Sequence, residues 1–209
     1  MSDGVASYKN HRYPVEVISH CVWLYFRFPL GYREVEELML ERGVIVSYET
    51  IRRWCGKFGQ TYAGALRRRR PRPRPGDKGH LDEVFIRIQG VQKYLWRAVD
   101  TDGHVLDILV QNRRDKAAAV MPSVEHRSPK GLNNRAENSH QPTRQRERAM
   151  KGFRTVAGAQ RFLSAFTGIS PHFRPHRHLM TAGHHRFDMR IRFTLRNHIT
   201  GTTGLPATA

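Results

Sequence analysis

Two acidic residues, Asp82 and Glu137, have surroundings in the sequence that suit chemistry as well as structure. Asp82 stands just before the run 84–88, in which apolar residues alternate with others as they do in a half-buried β-strand. Glu137 is the isolated acid of the polar segment 131–140. Carboxylate oxygens are the ligands that hard divalent cations such as Mg²⁺ prefer, so both residues are compatible with metal-dependent chemistry.

Glu137 also has a purely structural interpretation, because an acid early in a helix stabilises the helix dipole. On a helix, however, Glu137 shares one side with Arg144 and Arg148, which would place positive charge where a phosphate group would lie. We expect Pro142 to kink this helix near its middle. The residues alone leave both interpretations open.

An antiparallel meander is predicted to position Asp82. Strands are expected at 80–88, 93–100 and 105–111. The pair Asp102-Gly103 tolerates positive φ and is typical of the hairpin turn between the second strand and the third. An acid at the start of the first strand of such a meander is how a ribonuclease-H-like fold begins.

The first sixty residues predict three helices. Apolar residues recur at helical spacing in 14–26 and in 32–42, Gly43 is placed to end the second helix, and Ser47 can cap a third. A turn at Gly43 before a third helix with a basic outer side is the layout of a helix-turn-helix, whose third helix reads the major groove. The core stripe of this third helix consists of Ile51, Trp54, Cys55 and Phe58.

The outer side of the third helix is a predicted DNA contact. Many small helical bundles share this spacing, but the chain has 36 Lys+Arg against 18 Asp+Glu and a formal net charge of +18. That excess favours a polyanionic partner, most simply double-stranded DNA. Arginine can fork onto a guanine edge, whereas lysine more often meets phosphate. The candidate contacts are Tyr48, Arg52, Arg53 and Lys57.

Residues 67–79 are predicted to form a basic linker between domains. Its prolines forbid a helix and favour an extended, solvated chain. Its arginines would repel one another when free, so a phosphate partner would relieve the repulsion. The alternative is a solvated linker with no target of its own. The arginines proposed to contact DNA are Arg67, Arg68, Arg69 and Arg70.

Four motifs in order resemble the DDE transposases of bacterial insertion sequences, in particular the cointegrate-forming group that has an N-terminal helix-turn-helix. The resemblance runs from Tyr8 to about Phe193. Gly79 departs from it, because a tryptophan is usual there. The motifs occupy 76–83, 111–119, 133–138 and 144–148.

The resemblance implies an enzyme that transfers DNA strands with two divalent metals, here Mg²⁺, about 3.5–4 Å apart. The family uses three carboxylates. Asp82 would be the ligand shared by both metals, and Glu137 would hold the second metal. Double-stranded DNA, both the terminal inverted repeats and the target, would be the partner, and Arg135, Arg144 and Arg148 would lie on it. Pairing two DNA ends implies a homodimer.

The segment that should carry the middle Asp is missing after Ala119. Between Asp115 and Pro122 there is room for about one helical turn before proline ends it. A crossover to a parallel strand needs on the order of a dozen residues, so the core cannot be completed in the usual way. We therefore expect the first strand to expose unpaired backbone groups.

Losing one metal ligand should lower the rate roughly a thousandfold or more. Other acids are poor substitutes for the middle Asp. Asp102 lies in a turn, Asp107 lies among apolar residues, and Asp115 is placed as a helix cap.

Other features limit the remaining interpretations. Cys21 and Cys55 lie in helical patterns and suggest no disulfide framework. No apolar run is long enough to span a membrane, and residues 1–10 lack the order of a signal peptide. These observations predict a cytoplasmic protein, and the resemblance implies a bacterial one associated with the nucleoid. Histidines 172, 176, 178, 184 and 185 invite a zinc interpretation, which their spacing does not favour.

The predicted fold class is α+β or α/β, a helix-turn-helix followed by an incomplete ribonuclease-H-like catalytic core. The favoured function is an insertion-sequence transposase that binds transposon ends but does not cut them. The alternative is a non-catalytic DNA-binding protein that competes with or regulates intact transposase; RNA binding ranks third, because exposed aromatics are not interleaved with the basic residues. The predicted division is a DNA-binding domain at 1–66, the linker at 67–79, a truncated core with basic C-terminal helices at 80–198, and a disordered tail at 199–209.

Overall fold

The computed structural model describes residues 6–70, 80–99, 105–112, 133–175 and 180–202, with the backbone alone described at 80–82 and 133–140. The chain divides into two compact units. The helical unit comprises Met1–Arg70 and Ala165–Ala209, and the sheet unit comprises Pro71–Ser164. Helices and a small antiparallel sheet together make a mixed fold, consistent with the α+β class expected above.

The helical unit begins with the three helices that the sequence predicts. They are α1 (Val15–Arg27), α2 (Tyr32–Glu41) and α3 (Tyr48–Arg68). Gly43 adopts a φ of 73° after α2, a conformation that glycine reaches at little cost, and it ends that helix as expected. The Ser47 hydroxyl accepts a hydrogen bond from the Thr50 backbone N–H at 3.3 Å, which confirms the predicted cap.

The core of the helical unit forms where the apolar sides of these helices meet. Trp54 and Phe58 are buried, as the helical spacing predicted. A second layer comes from far along the chain, from the 3₁₀ helix Pro171–Phe173 and from α6 (Ala182–Thr200). The most deeply buried side chains are those of Ile18, Val22, Val35, Ile51 and Phe173.

The end of helix α5 (Val156–Ile169) packs against α3 through small residues. A Cβ added to Gly168 would lie 2.5 Å from the Cβ of Ala63. One turn earlier on α3, a Cβ on Gly59 would lie 3.3 Å from the Cβ of Ala165 on α5 and 2.8 Å from the Phe26 ring of α1. The two backbones therefore approach more closely than larger side chains would allow, and glycine is required at this crossing.

The sheet unit contains strands β1 (His80–Ile88), β2 (Val91–Val99) and β3 (Val105–Gln111), in the order β1-β2-β3 and antiparallel throughout. This confirms the predicted meander, although β2 begins two residues earlier than expected. The predicted turn at 101–104 lies outside the described residues. The apolar residues of β1 point into one core with α5, formed by Val84, Ile86, Ile88, Leu95, Ile108, Val110, Ala159 and Leu163.

Both edges of this small sheet are partly covered by later residues. On β3, the Gln160 side chain accepts from the Val110 N–H at 2.8 Å and donates to the Ile108 carbonyl at 2.9 Å. On β1, Phe153 forms a short parallel bridge with Ile88, in which the Gln89 N–H donates to the Phe153 carbonyl at 3.1 Å. A side chain and a turn thus replace neighbouring strands at these positions.

The edge of β1 is therefore less exposed than the sequence predicts. The Arg87 N–H donates to the Glu147 carboxylate at 2.8 Å. Because alternate residues of a strand face the same edge, the backbone of Phe85 faces this edge too, and no described residue pairs with it there. The Phe85 side chain is 45% exposed. Within the described residues, unpaired backbone groups thus remain at Phe85, in the middle of the strand.

Two predicted boundaries need correction. Helix α3 continues to Arg68, so the chain at 67–68 is helical rather than an extended linker. Residues 71–79 lie outside the described residues. At the other end, α6 continues to Thr200, and Ile199 and Thr200 are buried, so no disordered tail begins at 199. Both differences have one cause: contacts within the helical unit extend helices past their local sequence signals.

Candidate nucleic-acid interface and carboxylate site

The outer side of α3 carries the predicted DNA contacts. Tyr48, Arg52, Arg53 and Lys57 are all exposed, and the opposite side of the helix is buried. The guanidinium of Arg33 on α2 lies 5.1 Å above the Tyr48 ring and adds a further positive charge beside this surface. The surface therefore carries the kinds of side chain that bind phosphate groups and guanine edges.

Glu49 holds both arginines of this surface. Its carboxylate accepts from Arg52 Nε at 2.8 Å and from Arg52 Nη2 at 2.6 Å, and Arg53 lies 3.6 Å away. The hydrogen bond from Arg52, before all other causes, lowers the pKa of the Glu49 carboxyl. Exposed pairs of this kind contribute little to stability, so a DNA phosphate or base could replace Glu49. The sequence places Glu49 on this side but does not reveal that it occupies the Arg52 fork.

A segment before α1 supports the same helix. The Tyr8 and Tyr62 hydroxyls lie 2.6 Å apart, and the Tyr8 ring packs on Phe58 with centroids 4.9 Å apart. Lys57 Nζ lies 2.8 Å from His11 Nε2. Desolvation first, and the Lys57 charge second, lower the pKa of His11, which favours a neutral ring that accepts a hydrogen bond from the lysine. Sequence reasoning missed this contact, because no local pattern links residues so far apart.

The four arginines at 67–70 are partly structural. Arg67 Nη2 donates to the Thr167 hydroxyl at 3.2 Å. Arg70 Nη2 donates to the carbonyls of Thr167 and Gly168 at 3.4 and 3.3 Å, which satisfies acceptors at the end of α5. Arg68 and Arg69 are exposed and remain available to a phosphate group.

Asp82 lies in β1 directly opposite Arg97 of β2. The Arg97 side chain is only 1% exposed, so a full positive charge is buried at the position facing Asp82. Opposite charges at directly opposed positions of an antiparallel pair stabilise each other. The Asp82 side chain itself lies outside the described residues.

Glu137 and Arg135 lie in helix α4 (Asn133–Ala149), where the backbone alone is described. The helix is continuous through Pro142. Farther along it, Arg144 and Arg148 are exposed, as expected for residues that meet DNA. The opposite side of α4 is buried and carries Thr143 and Arg146, the latter 5.6 Å from the Phe162 ring centroid.

Three acids were considered above as substitutes for the middle Asp, and Asp107 is the one that lies within the described residues. Asp107 is exposed in β3, pairs with Ala98 in the register, and its carboxylate accepts from the Ile108 N–H at 2.8 Å. It is thus two strands from Asp82. Asp102, Asp115 and the whole junction after Ala119 lie outside the described residues.

Among the side chains that the structure describes, the carboxylates do not make up a two-metal site. The resemblance assigns two acids where the chemistry uses three, and Asp107 is turned to its own backbone. Within the described residues, no group of three His, Cys, Asp or Glu side chains is placed to hold a metal ion.

Of the C-terminal histidines, His172 has a defined structural place. Its ring nitrogen lies 3.3 Å from the Arg192 carbonyl. Burial lowers the pKa of His172 to about 4, which keeps the ring neutral near pH 7. His184 and His185 lie in the first turn of α6, and residues 176–178 lie outside the description.

Comparison with known proteins finds similarity over the sheet-containing region. Residues 76–122 and 119–176 match a family model described as a DDE domain. The chain is 35% identical over 114 residues to the transposase for the insertion sequence-like element IS431mec of Staphylococcus aureus, covering 54% of this chain and 49% of that protein. Over the same length it is 34% identical to the transposase for insertion sequence element IS257 in transposon Tn4003, also of Staphylococcus aureus.

These similarities support an insertion-sequence transposase. The chain spans about half the length of the curated relatives it matches. No solved structure matches it. Within the described residues, none of the helices combines the length and apolar character that crossing a membrane requires.

Proposed function

We propose that this chain is a DDE transposase of an insertion sequence, of the cointegrate-forming group, that has lost the segment with its middle Asp. It binds double-stranded DNA at terminal inverted repeats and does not cleave it. The observation that carries the proposal is the DDE-domain match, which comes in two pieces that meet where the sequence predicts the missing segment.

The DNA-binding part of the proposal rests on the helical unit. Helices α2 and α3, joined by the turn after Glu41, have the order of a helix-turn-helix. The exposed basic side of α3 would enter the major groove, with Arg52 and Arg53 at base edges and Lys57 at phosphate. Binding would break the contacts of both arginines with Glu49, which are weak because they are exposed.

The missing segment is supported by the way in which the family model matches. The match comes in two pieces, 76–122 and 119–176, which meet at the position where the sequence predicts a deletion. The described part of the sheet has three antiparallel strands, whereas a ribonuclease-H-like core continues with parallel strands beside the first. Residues 147–153 contact β1 where such a neighbour would begin.

The loss of the middle Asp would affect catalysis through the carboxylates that hold the metals. In an intact enzyme of this class Mg²⁺ would activate the attacking oxygen and stabilise the leaving one. Here Asp82 and Glu137 would be the only acids of that set. Asp82 also faces the buried charge of Arg97, which would compete with a metal for its carboxylate. We expect cleavage to be slowed roughly a thousandfold or more.

A second candidate function is regulation of intact transposase in trans. The compactness of the helical unit favours it, because DNA contacts there do not depend on a complete catalytic core. Such a protein, in the cytoplasm and on the nucleoid, would occupy transposon ends as a homodimer or as a mixed dimer. Lower transposition frequency on co-expression would support this candidate; an unchanged frequency would exclude it.

The deciding experiment is a nicking assay on a labelled terminal inverted repeat with Mg²⁺, run with the unaltered chain and with Asp82→Ala. Duplex binding is measured in parallel by fluorescence anisotropy. Binding without nicking in both proteins is the expected result. Nicking that Asp82→Ala abolishes would show that another carboxylate replaces the middle Asp. Absence of duplex binding would refute the DNA-binding function itself.

A further inference from the structure

We infer that Arg27 and Arg174 form a phosphate-binding site on the helical unit, built from other elements than the outer side of α3. Its ligand is the phosphodiester backbone of duplex DNA. The inference deepens the proposed DNA binding and rests on it, since it adds a contact that neither the motifs nor the family resemblance assigns.

An aromatic cluster brings the two arginines together although they are far apart in the chain. Arg27 lies in the last turn of α1, beside Phe28, and Arg174 directly follows Phe173. The rings of Phe28 and Phe173 both pack edge-on against Trp23, with centroids 5.3 and 6.0 Å from it. The Arg27 guanidinium lies 5.0 Å above the Phe28 ring.

The positive charges of Arg27 and Arg174 repel each other. Both side chains are only partly exposed, and among the described residues neither has a carboxylate partner. Burial lowers the pKa of Arg174, and burial together with the charge of Arg174 lowers the pKa of Arg27. Within a protein, like charges that share a partly buried site normally have an acidic partner or bind an anion. Arg27 and Arg174 have no such acidic partner among the described residues.

Hydrogen-bond donors at this cluster also lack acceptors. In the described part of the chain, the Arg174 Nε and the Trp23 indole nitrogen are buried without a hydrogen-bond partner. Both groups are donors only. A ligand that satisfies such a site must bring negative charge and several acceptor oxygens, which is the chemistry of a phosphodiester.

Helix dipoles account for only part of this arrangement. Arg27 offsets the partial negative charge at the end of α1, but Arg174 follows a 3₁₀ helix of three residues. Asp188, an acid whose charge acts on neighbouring His172, is already held by Arg192 at 2.7 Å. Positive charge therefore remains in excess around the 3₁₀ helix.

The test uses the full chain with Arg27→Gln, Arg174→Gln and, as a matched control, Arg190→Gln, which removes an exposed charge of α6. The probe is a random-sequence duplex titrated at several salt concentrations. Each of the first two variants should weaken binding equally for all sequences and reduce the slope of log K against log salt by about 1. Arg174→Lys should retain part of that slope.

Thermal unfolding without DNA supplies the second readout. Relief of like-charge repulsion should leave the melting temperature of Arg27→Gln and Arg174→Gln unchanged or higher. Weaker binding together with equal or greater stability is the signature of a ligand site. Loss of both duplex binding and thermal stability would indicate a structural role and overturn the inference. An unchanged salt slope would overturn it too, and so would an equal effect of Arg190→Gln on binding. If the unaltered chain binds no duplex at all, the proposed function fails and this site fails with it.

Discussion

Asp82 and Arg97 occupy directly opposed positions on β1 and β2, and the Arg97 side chain is almost fully buried. A buried guanidinium needs a negative partner or several acceptors, since an uncompensated charge in the interior is costly. The residue that the family resemblance assigns to catalysis is thus also placed to stabilise the sheet. A stabilising role in the sheet does not depend on a complete set of catalytic carboxylates.

Arg97→Met is expected to lower the free energy of unfolding by about 3 kcal/mol, because it leaves an uncompensated acid beside a buried position. Asp82→Asn should be destabilising too, and the double variant should lose less than the sum of the two. Urea unfolding of all four proteins measures this coupling. Strictly additive losses would show that the two side chains do not interact.

Gln160→Leu should destabilise the sheet unit by about 1–3 kcal/mol, because the Val110 N–H and the Ile108 carbonyl would lose their partners at the edge of β3. The matched control is Gln145→Leu, an exposed glutamine of α4. Hydrogen exchange at Val110 gives a local readout. Equal protection in both variants would contradict the edge-covering role of Gln160.

Gly168→Val should destabilise the helical unit by about 1–3 kcal/mol, since its side chain would collide with Ala63. Gly56→Ala is the control on α3, where no atom lies within 4 Å of an added Cβ. That change should be neutral or should stabilise by up to about 1 kcal/mol. Comparable destabilisation by both changes would argue against a close crossing of α3 and α5.

Glu49→Gln should strengthen duplex binding severalfold, because it frees the Arg52 fork and removes a negative charge from the outer side of α3. Arg52→Ala should weaken binding about tenfold or more, consistent with about 1–3 kcal/mol for a good base contact. Glu37→Gln on α2 changes the net charge equally and serves as control. If it strengthened binding as much as Glu49→Gln, the effect would come from net charge and not from the fork.

Acid should destabilise the helical unit through two partly buried histidines. Burial lowers the pKa of His20 and of His172 from 6.5 to about 4. The unfolded chain therefore binds protons first, and stability that is complete above pH 6.5 is lost as the pH falls towards 4. The slope is at most about 1.4 kcal/mol per pH unit for each histidine.

His20→Gln should reduce that slope, and His184→Gln, at an exposed position of α6, should not. Urea unfolding between pH 7 and pH 4 provides the comparison. A slope that His20→Gln leaves intact would assign the acid sensitivity to other groups.

Much of the local structure was determined by the sequence. Helical spacing predicts α1, α2 and the beginning of α3 to within a residue, and alternation predicts the three strands. These signals are local, because a helix or strand that buries one side must repeat apolar residues at its own period. The motifs around Asp82 and Glu137 also give the resemblance to DDE transposases before any coordinates are known, since they are contiguous in the chain.

The tertiary structure decided which distant residues meet. The close crossing of Gly168 and Ala63, the amide of Gln160 on β3, and the Arg27–Arg174 pair join residues that are 40 or more positions apart. The burial of Arg97 is equally invisible in a strand pattern. Such contacts depend on how elements pack, and a periodic pattern fixes only which side of each element is buried, not what it is buried against.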